Sequence, residues 1–220
     1  IFLGKYVTIL QTLAAVISFF TFMFIVKNTN FKNIVVNKKF QHIVFGFTTL
    51  IFVLWLFRVS IYDGLIIHFI ALTTLTLVLG FRWAMLSASF VLLILTAIGY
   101  ESWSMLGVNA LLGVYLPILV SYGIFVITFH KLPRHPFVYL FLCGFFPGAI
   151  TIGLKMLSLS AYFYLDGVYE WDVIVYNYTN MIWLMIFPEA FFNGFSMTCL
   201  VIYKPDLIYT FHDKFYIDNK

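Results

Sequence analysis

Charged residues are what this chain has least of. Asp, Glu, Lys and Arg make up only 10% of its 220 residues, where a soluble domain carries about 25%. A surface that poor in charge cannot keep a folded chain in water, so a soluble catalytic domain is excluded and soluble-enzyme motifs carry little weight. Cysteine is scarcer still: Cys143 and Cys199 are the two present. Both lie in apolar runs, with neither metal-binding spacing nor a disulfide framework, so buried free thiols are expected. The net charge of +4 comes from basic residues scattered along the chain, which argues against nucleic-acid binding. No Ser/His/Asp arrangement, glycine-rich phosphate loop or paired-carboxylate motif occurs, so the chain reads neither as an enzyme nor as an ATPase.

What fills the space is apolar. Hydrophobic residues make up 63% of the chain and aromatic residues 21%. A window of about 20 residues picks out seven apolar segments: 5–26, 41–57, 64–79, 83–100, 105–129, 136–165 and 178–203. The second and third are short, and either tilt little or pair as a re-entrant hairpin around residues 58–64. The expected fold is all-α, a multi-pass membrane bundle of about seven transmembrane helices. Residues 1–203 form a single transmembrane domain and 204–220 a short cytoplasmic tail. The chain opens on Ile1 rather than Met, so the native N-terminus is expected upstream, and the first segment is long enough to span rather than to serve as a cleavable signal.

Charge sets the expected orientation. With alternating sides, Lys27, Lys32, Lys38, Lys39, Arg82, Lys131, Arg134, Lys204, Lys214 and Lys220 fall on one face, ten of the thirteen basic residues. The other face has Lys5 and Arg58 together with Glu101, Asp166, Glu170 and Asp172. The positive-inside rule then puts the N-terminus outside and the C-terminus in the cytoplasm. The thirteenth basic residue, Lys155, lies inside a helix.

Polar residues at bilayer depth are the candidate functional groups, because an ionised side chain at the helix centre costs about 2.5–3.5 kcal/mol. Glu189 lies near the middle of the last segment, with Asn193 and Ser196 on the same helix face and Pro188 beside it. It is read either as a structural carboxyl hydrogen-bonded between helices or as part of a ligand or ion site. His68 and Asn109 lie near outer helix ends, and Lys155 about 15 Å inward at the depth of Glu189. His68, Asn109, Lys155, Glu189 and Asn193 are therefore the expected substrate-binding set, lining one pocket open to the outside. The alternative is that Lys155 snorkels to the interface. Gly144, Gly148, Thr151 and Lys155 share one stripe, a small-residue contact surface, which turns Lys155 toward protein and makes a Lys155–Glu189 ion pair the expectation. His42, His130, His135 and His212 read as polar helix ends rather than haem ligands, and the acceptor pattern Asn177-Tyr178-Thr179 reads as chance. Lys131 and Arg134 flank Pro133 in a stiff connection, read either as a partner-docking site or as a plain positive-inside anchor.

Several stretches together resemble a known family: His68-Phe69-Ile70-Ala71-Leu72-Thr73 with Leu79-Gly80; Leu116-Pro117-Ile118-Leu119-Val120-Ser121-Tyr122-Gly123; and Lys131-Leu132-Pro133-Arg134-His135-Pro136-Phe137. Phe187-Pro188-Glu189-Ala190-Phe191 and the tail Tyr203-Lys204-Pro205-Asp206 with Thr210-Phe211-His212-Asp213 extend the likeness. Over residues 64–215 the chain resembles permeases of energy-coupling-factor (ECF) ABC transporters of bacterial inner membranes, distant relatives of the cobalt/nickel substrate-binding membrane subunit. The first two helices match in hydropathy only.

The resemblance implies an outward N-terminus inserted into the bundle. It also implies metal held by an N-terminal Met-His pair and by a His in a membrane segment, for which His68 is the match. Ile1-Phe2-Leu3-Gly4 offers no counterpart to that pair. The implied function is a non-hydrolysing, substrate-binding permease subunit for a divalent cation, cobalt or nickel, with no covalently bound cofactor. A transmembrane coupling subunit and partner ATPases would supply hydrolysis. Lys155 speaks instead for an anionic or zwitterionic solute. The alternative from a different class is a structural or assembly subunit of a larger membrane complex.

Overall fold

The structure, a computed structural model, describes residues 7–212 and Tyr216. The expectations placed on Lys5, Lys214 and Lys220, and on most of the tail end, lie outside the described residues. The chain is a helical membrane bundle built from α1 (Ile9–Asn28), α2 (Lys32–Val36), α3 (Lys38–Leu56), α4 (Leu72–Leu79) and α5 (Phe81–Ala97), then α6 (Trp103–Lys131), α7 (Pro136–Leu165), α8 (Trp171–Asn177) and α9 (Ile182–Tyr203). Five spans are long and apolar enough to cross a membrane: α1, α3, α6, α7 and the run Trp171–Tyr203; α5 is a shorter apolar helix of 17 residues.

The third apolar segment differs from the expected short helix. It begins in an antiparallel hairpin, β1 (Val59–Tyr62) and β2 (Leu65–Ile67), the one sheet among the described residues and a departure from an all-α fold. The turn requires Gly64: its φ is +85°, and a Cβ there would stand 2.7 Å from the Phe163 ring. An extended link follows, and only then α4, whose eight residues are all buried. The run is apolar enough for a helix, but α5, α6, α7 and α9 close around it, so interior packing and not lipid decides its conformation.

Two prolines explain the irregular long helices. Pro117 and Pro147 each lie two residues beyond a π-helical stretch, Asn109–Tyr115 in α6 and Tyr139–Phe145 in α7. Each proline lacks an N–H, and the preceding turn widens so that Leu116 N–H bonds Leu111 O and Phe146 N–H bonds Phe141 O.

Small residues set the helix contacts. A Cβ on Gly148 of α7 would meet Asn193 and the Glu189 carbonyl of α9 at 3.1 Å, so the predicted small-residue stripe is the α7–α9 contact. At Gly107 of α6 a Cβ would meet the Ala15 backbone of α1 at 2.5 Å.

Apart from Lys155 and Glu189, which are buried inside it, the described charges lie at the two ends of the bundle. Lys39 pairs with Asp206, and Arg82 Nη1 donates to Asn28 O at 2.6 Å at one end. At the other, Arg58 pairs with Glu101, and Tyr169 donates to Asp63 O at 2.9 Å.

Candidate functional site

The site is organised around residues 68–74, where the extended link enters α4. A backbone that leaves helical geometry inside a membrane must find partners for its N–H groups in the protein itself. Here α9 supplies them. Ile70 N–H donates to Glu189 Oε2 at 3.0 Å and Ala71 N–H to Oε1 at 2.7 Å. The Asn193 side-chain oxygen accepts from both Thr74 N–H and Thr74 Oγ1 at 2.9 Å, and Asn193 Nδ2 returns a bond to Glu189 Oε1 at 2.9 Å. Both side chains are completely buried. The carboxyl group thus caps the start of a half-helix by accepting from its free N–H groups. Trp55 Nε1 binds the Ile70 carbonyl at 3.1 Å from the other side. The bonds hold Ala71 in a left-handed conformation, φ +50°, that a non-glycine residue adopts at a cost of about 1–2 kcal/mol.

The pinned link delivers His68. Its Nδ1 lies 2.9 Å from Phe69 O; a carbonyl only accepts, so Nδ1 carries the proton and Nε2 presents a lone pair. That lone pair meets Lys155 Nζ, the donor, at 2.7 Å. The imidazole stands edge-on to Trp55, 5.4 Å between centroids.

His68 and Lys155 face a cavity of about 30 Å³ that is also lined by Trp55, Arg58, Glu101 and Asn109. Glu101 joins its rim: one oxygen pairs with Arg58 and the other accepts from Asn109 Nδ2 at 2.9 Å. Arg58 is held further by Trp55 O at 2.8 Å and lies over the Tyr100 ring.

The expected binding set therefore divides. His68, Asn109 and Lys155 come together at one cavity. Glu189 and Asn193 do not line it, and their polar atoms are engaged with the link and the start of α4. The expected Lys155–Glu189 ion pair is absent among the described residues; Lys155 meets His68 instead, and the link runs between the two side chains. Sequence reading missed Arg58 and Glu101, which it counted as outer-face loop charges. Their opposite signs on a face otherwise short of basic residues were the available signal. Lys131 and Arg134 lie at the exposed α6–α7 connection, with Arg134 over the Phe129 ring at 4.5 Å. Both cysteines are free; Cys143 is buried and Cys199 half-buried.

A family model, CbiM, described as the cobalt uptake substrate-specific transmembrane region, matches residues 6–207. The chain belongs to the CbiM family. That family comprises membrane transport components rather than enzymes, and this member is an integral membrane protein. The CbiM chain shares its fold with two solved structures. A truncated transition metal transporter matches with TM-score 0.72 and 17% identity, over 87% of this chain and 93% of that one. A transition metal transporter matches with TM-score 0.71 and 18% identity, over 87% of this chain and 88% of that one. At that identity the likeness shows the fold alone. No curated protein matches the sequence.

Proposed function

We propose that this chain is the substrate-binding, non-hydrolysing membrane subunit of an ECF-type uptake system in the bacterial inner membrane, and that its substrate is a divalent transition-metal cation such as cobalt or nickel. One observation carries the reading: an unwound link pinned by α9 places His68, its Nε2 held by Lys155, at the wall of a cavity of about 30 Å³. That volume matches a single ion or water better than an organic solute. Imidazole nitrogen suits first-row divalent metals, and the Phe69 carbonyl fixes the tautomer such a ligand needs. Among the described residues no group of three His, Cys, Asp or Glu side chains is gathered, so His68 serves as one donor and not as a complete cage. Lys155 must leave Nε2 before a cation takes it. Glu189 and Asn193 act as positioning residues.

The same reading assigns seven crossings, the third made by the hairpin arm, the link and α4, with the N-terminus outside and the tail cytoplasmic. The contacts of Lys39 with Asp206 and of Arg82 with Asn28, clustered at the lysine-rich end, support it. Lys131 and Arg134 then face the cytoplasm as a docking point for a transmembrane coupling subunit and its ATPases.

The test is elemental analysis and calorimetric titration of the purified intact protein, native N-terminus included, with Co²⁺ and with Ni²⁺. The reading expects about one ion per chain in the wild type and none in His68→Ala. A wild type with affinity for neither ion overturns it. The Lys155–His68 contact favours a second reading, a structural subunit of a larger complex, because it satisfies both groups without a ligand. Lys155→Met separates the two: cation affinity rises under the transport reading, whereas under the structural one only stability changes.

A further inference from the structure

At the lysine-rich end, α2 and the starts of α3 and α5 border an open cleft of about 800 Å³. Lys32 and Arg82 line it with Asn30 and Asn33, and no carboxylate is among its lining residues. Arg82 uses one N–H on Asn28 O, which leaves its other donors for a ligand. Trp83 forms the boundary of this cleft, clamped edge-to-face between Phe31 and Phe40 at 5.6 and 5.5 Å. Its other side lines an apolar groove of about 310 Å³ between α1, α3 and α5, walled by Phe22, Val26 and Phe90. Phe22 and Leu93 carry that groove into a second one of about 360 Å³ along α1 and α6. A doubly basic cleft with no acidic lining residue thus shares Trp83 as a common wall with an apolar track along α1, α3, α5 and α6.

We propose that this composite site binds one anionic phospholipid. Its phosphate lies against Lys32 and Arg82, its glycerol backbone at the level of Trp83, and its acyl chains along the α1–α5 grooves. Charge complementarity selects the occupant: basic pockets beside membrane helices take anionic headgroups, each basic residue near the surface contributing about 1 kcal/mol, or about fivefold in affinity. The site is separate from the His68 cavity and does not depend on metal transport.

The test is native mass spectrometry of the intact protein exchanged into nanodiscs of phosphatidylglycerol and phosphatidylcholine in equal parts. The wild type is expected to retain about one phosphatidylglycerol per chain and to discriminate against phosphatidylcholine. Lys32→Gln with Arg82→Gln should weaken retention about thirtyfold, whereas Lys27→Gln, an exposed lysine outside the lining, should not. If the double variant does not fold, Lys32→Gln alone, at an exposed position, should lower retention about fivefold. Equal retention of both lipids, or unchanged retention in the Lys32 variant, overturns the proposal. So does loss of a co-purifying membrane protein in place of lipid, which would make the groove a subunit interface.

Discussion

Removing the Glu189 carboxylate tests the idea that α9 holds the unwound link. In Glu189→Ala, the N–H groups of Ile70 and Ala71 lose their acceptors inside the bundle. Each buried donor left unpaired costs about 1–3 kcal/mol, so the two together cost about 2–6 kcal/mol. Interhelical hydrogen bonds in membranes run weaker, averaging about 0.6 kcal/mol, so the expected loss lies in the lower half of that range, about 2–3 kcal/mol. Glu189→Gln keeps one acceptor oxygen but turns an NH₂ group toward the second N–H, and about half the loss is expected. Adding Lys155→Met to Glu189→Gln should restore nothing, because Lys155 is bonded to His68 and not to Glu189. The assay is thermal unfolding in detergent, in a Cys199→Ser background, followed by a thiol-reactive dye, since Cys143 is buried and reacts only on opening, with steric trapping for the free energies. A Glu189→Ala variant within about 0.5 kcal/mol of the wild type, or a double variant more stable than Glu189→Gln, would refute the reasoning.

Four further outcomes follow from other parts of the fold. Gly107→Ala should destabilise by about 1–3 kcal/mol in the same assay, because the new methyl meets the Ala15 backbone at 2.5 Å, whereas Gly123→Ala, with nothing within 4 Å, should not. Replacing Lys131 and Arg134 together should reduce co-purification of partner subunits without altering membrane insertion; unchanged recovery would leave them as topological anchors. Lys39 donates to Asp206 and holds its carboxyl below the usual range. With the folded value depressed, the pair's stabilisation is present above the unfolded carboxyl pKa of about 4 and is lost as pH falls through the folded value, so wild type and Asp206→Asn should converge in melting temperature on acidification. A reporter fused after Lys220 should be active only in its cytoplasmic form; an external readout would reverse the proposed orientation.

The sequence by itself determined the class of molecule. Scarce charge and long apolar runs leave a chain no stable state except in lipid. The spacing of Gly144 and Gly148 announced a close helix contact, because two backbones approach only where side chains are absent. Counting residues along helices put Lys155 at the depth of Glu189, with His68 and Asn109 nearer the outer helix ends. Tertiary structure alone decided which of these groups meet. Whether Lys155 pairs with Glu189 or with His68 depends on what lies between them, and what lies there is a link that periodicity could not predict. Residues 64–79 are as apolar as a helix, yet the N–H groups of Ile70, Ala71 and Thr74 find their partners in Glu189 and Asn193. Hydropathy records how much surface a segment hides from water, but it holds no information about which donor finds which acceptor. That pairing, of a backbone N–H with a side chain 119 residues away, shapes the site.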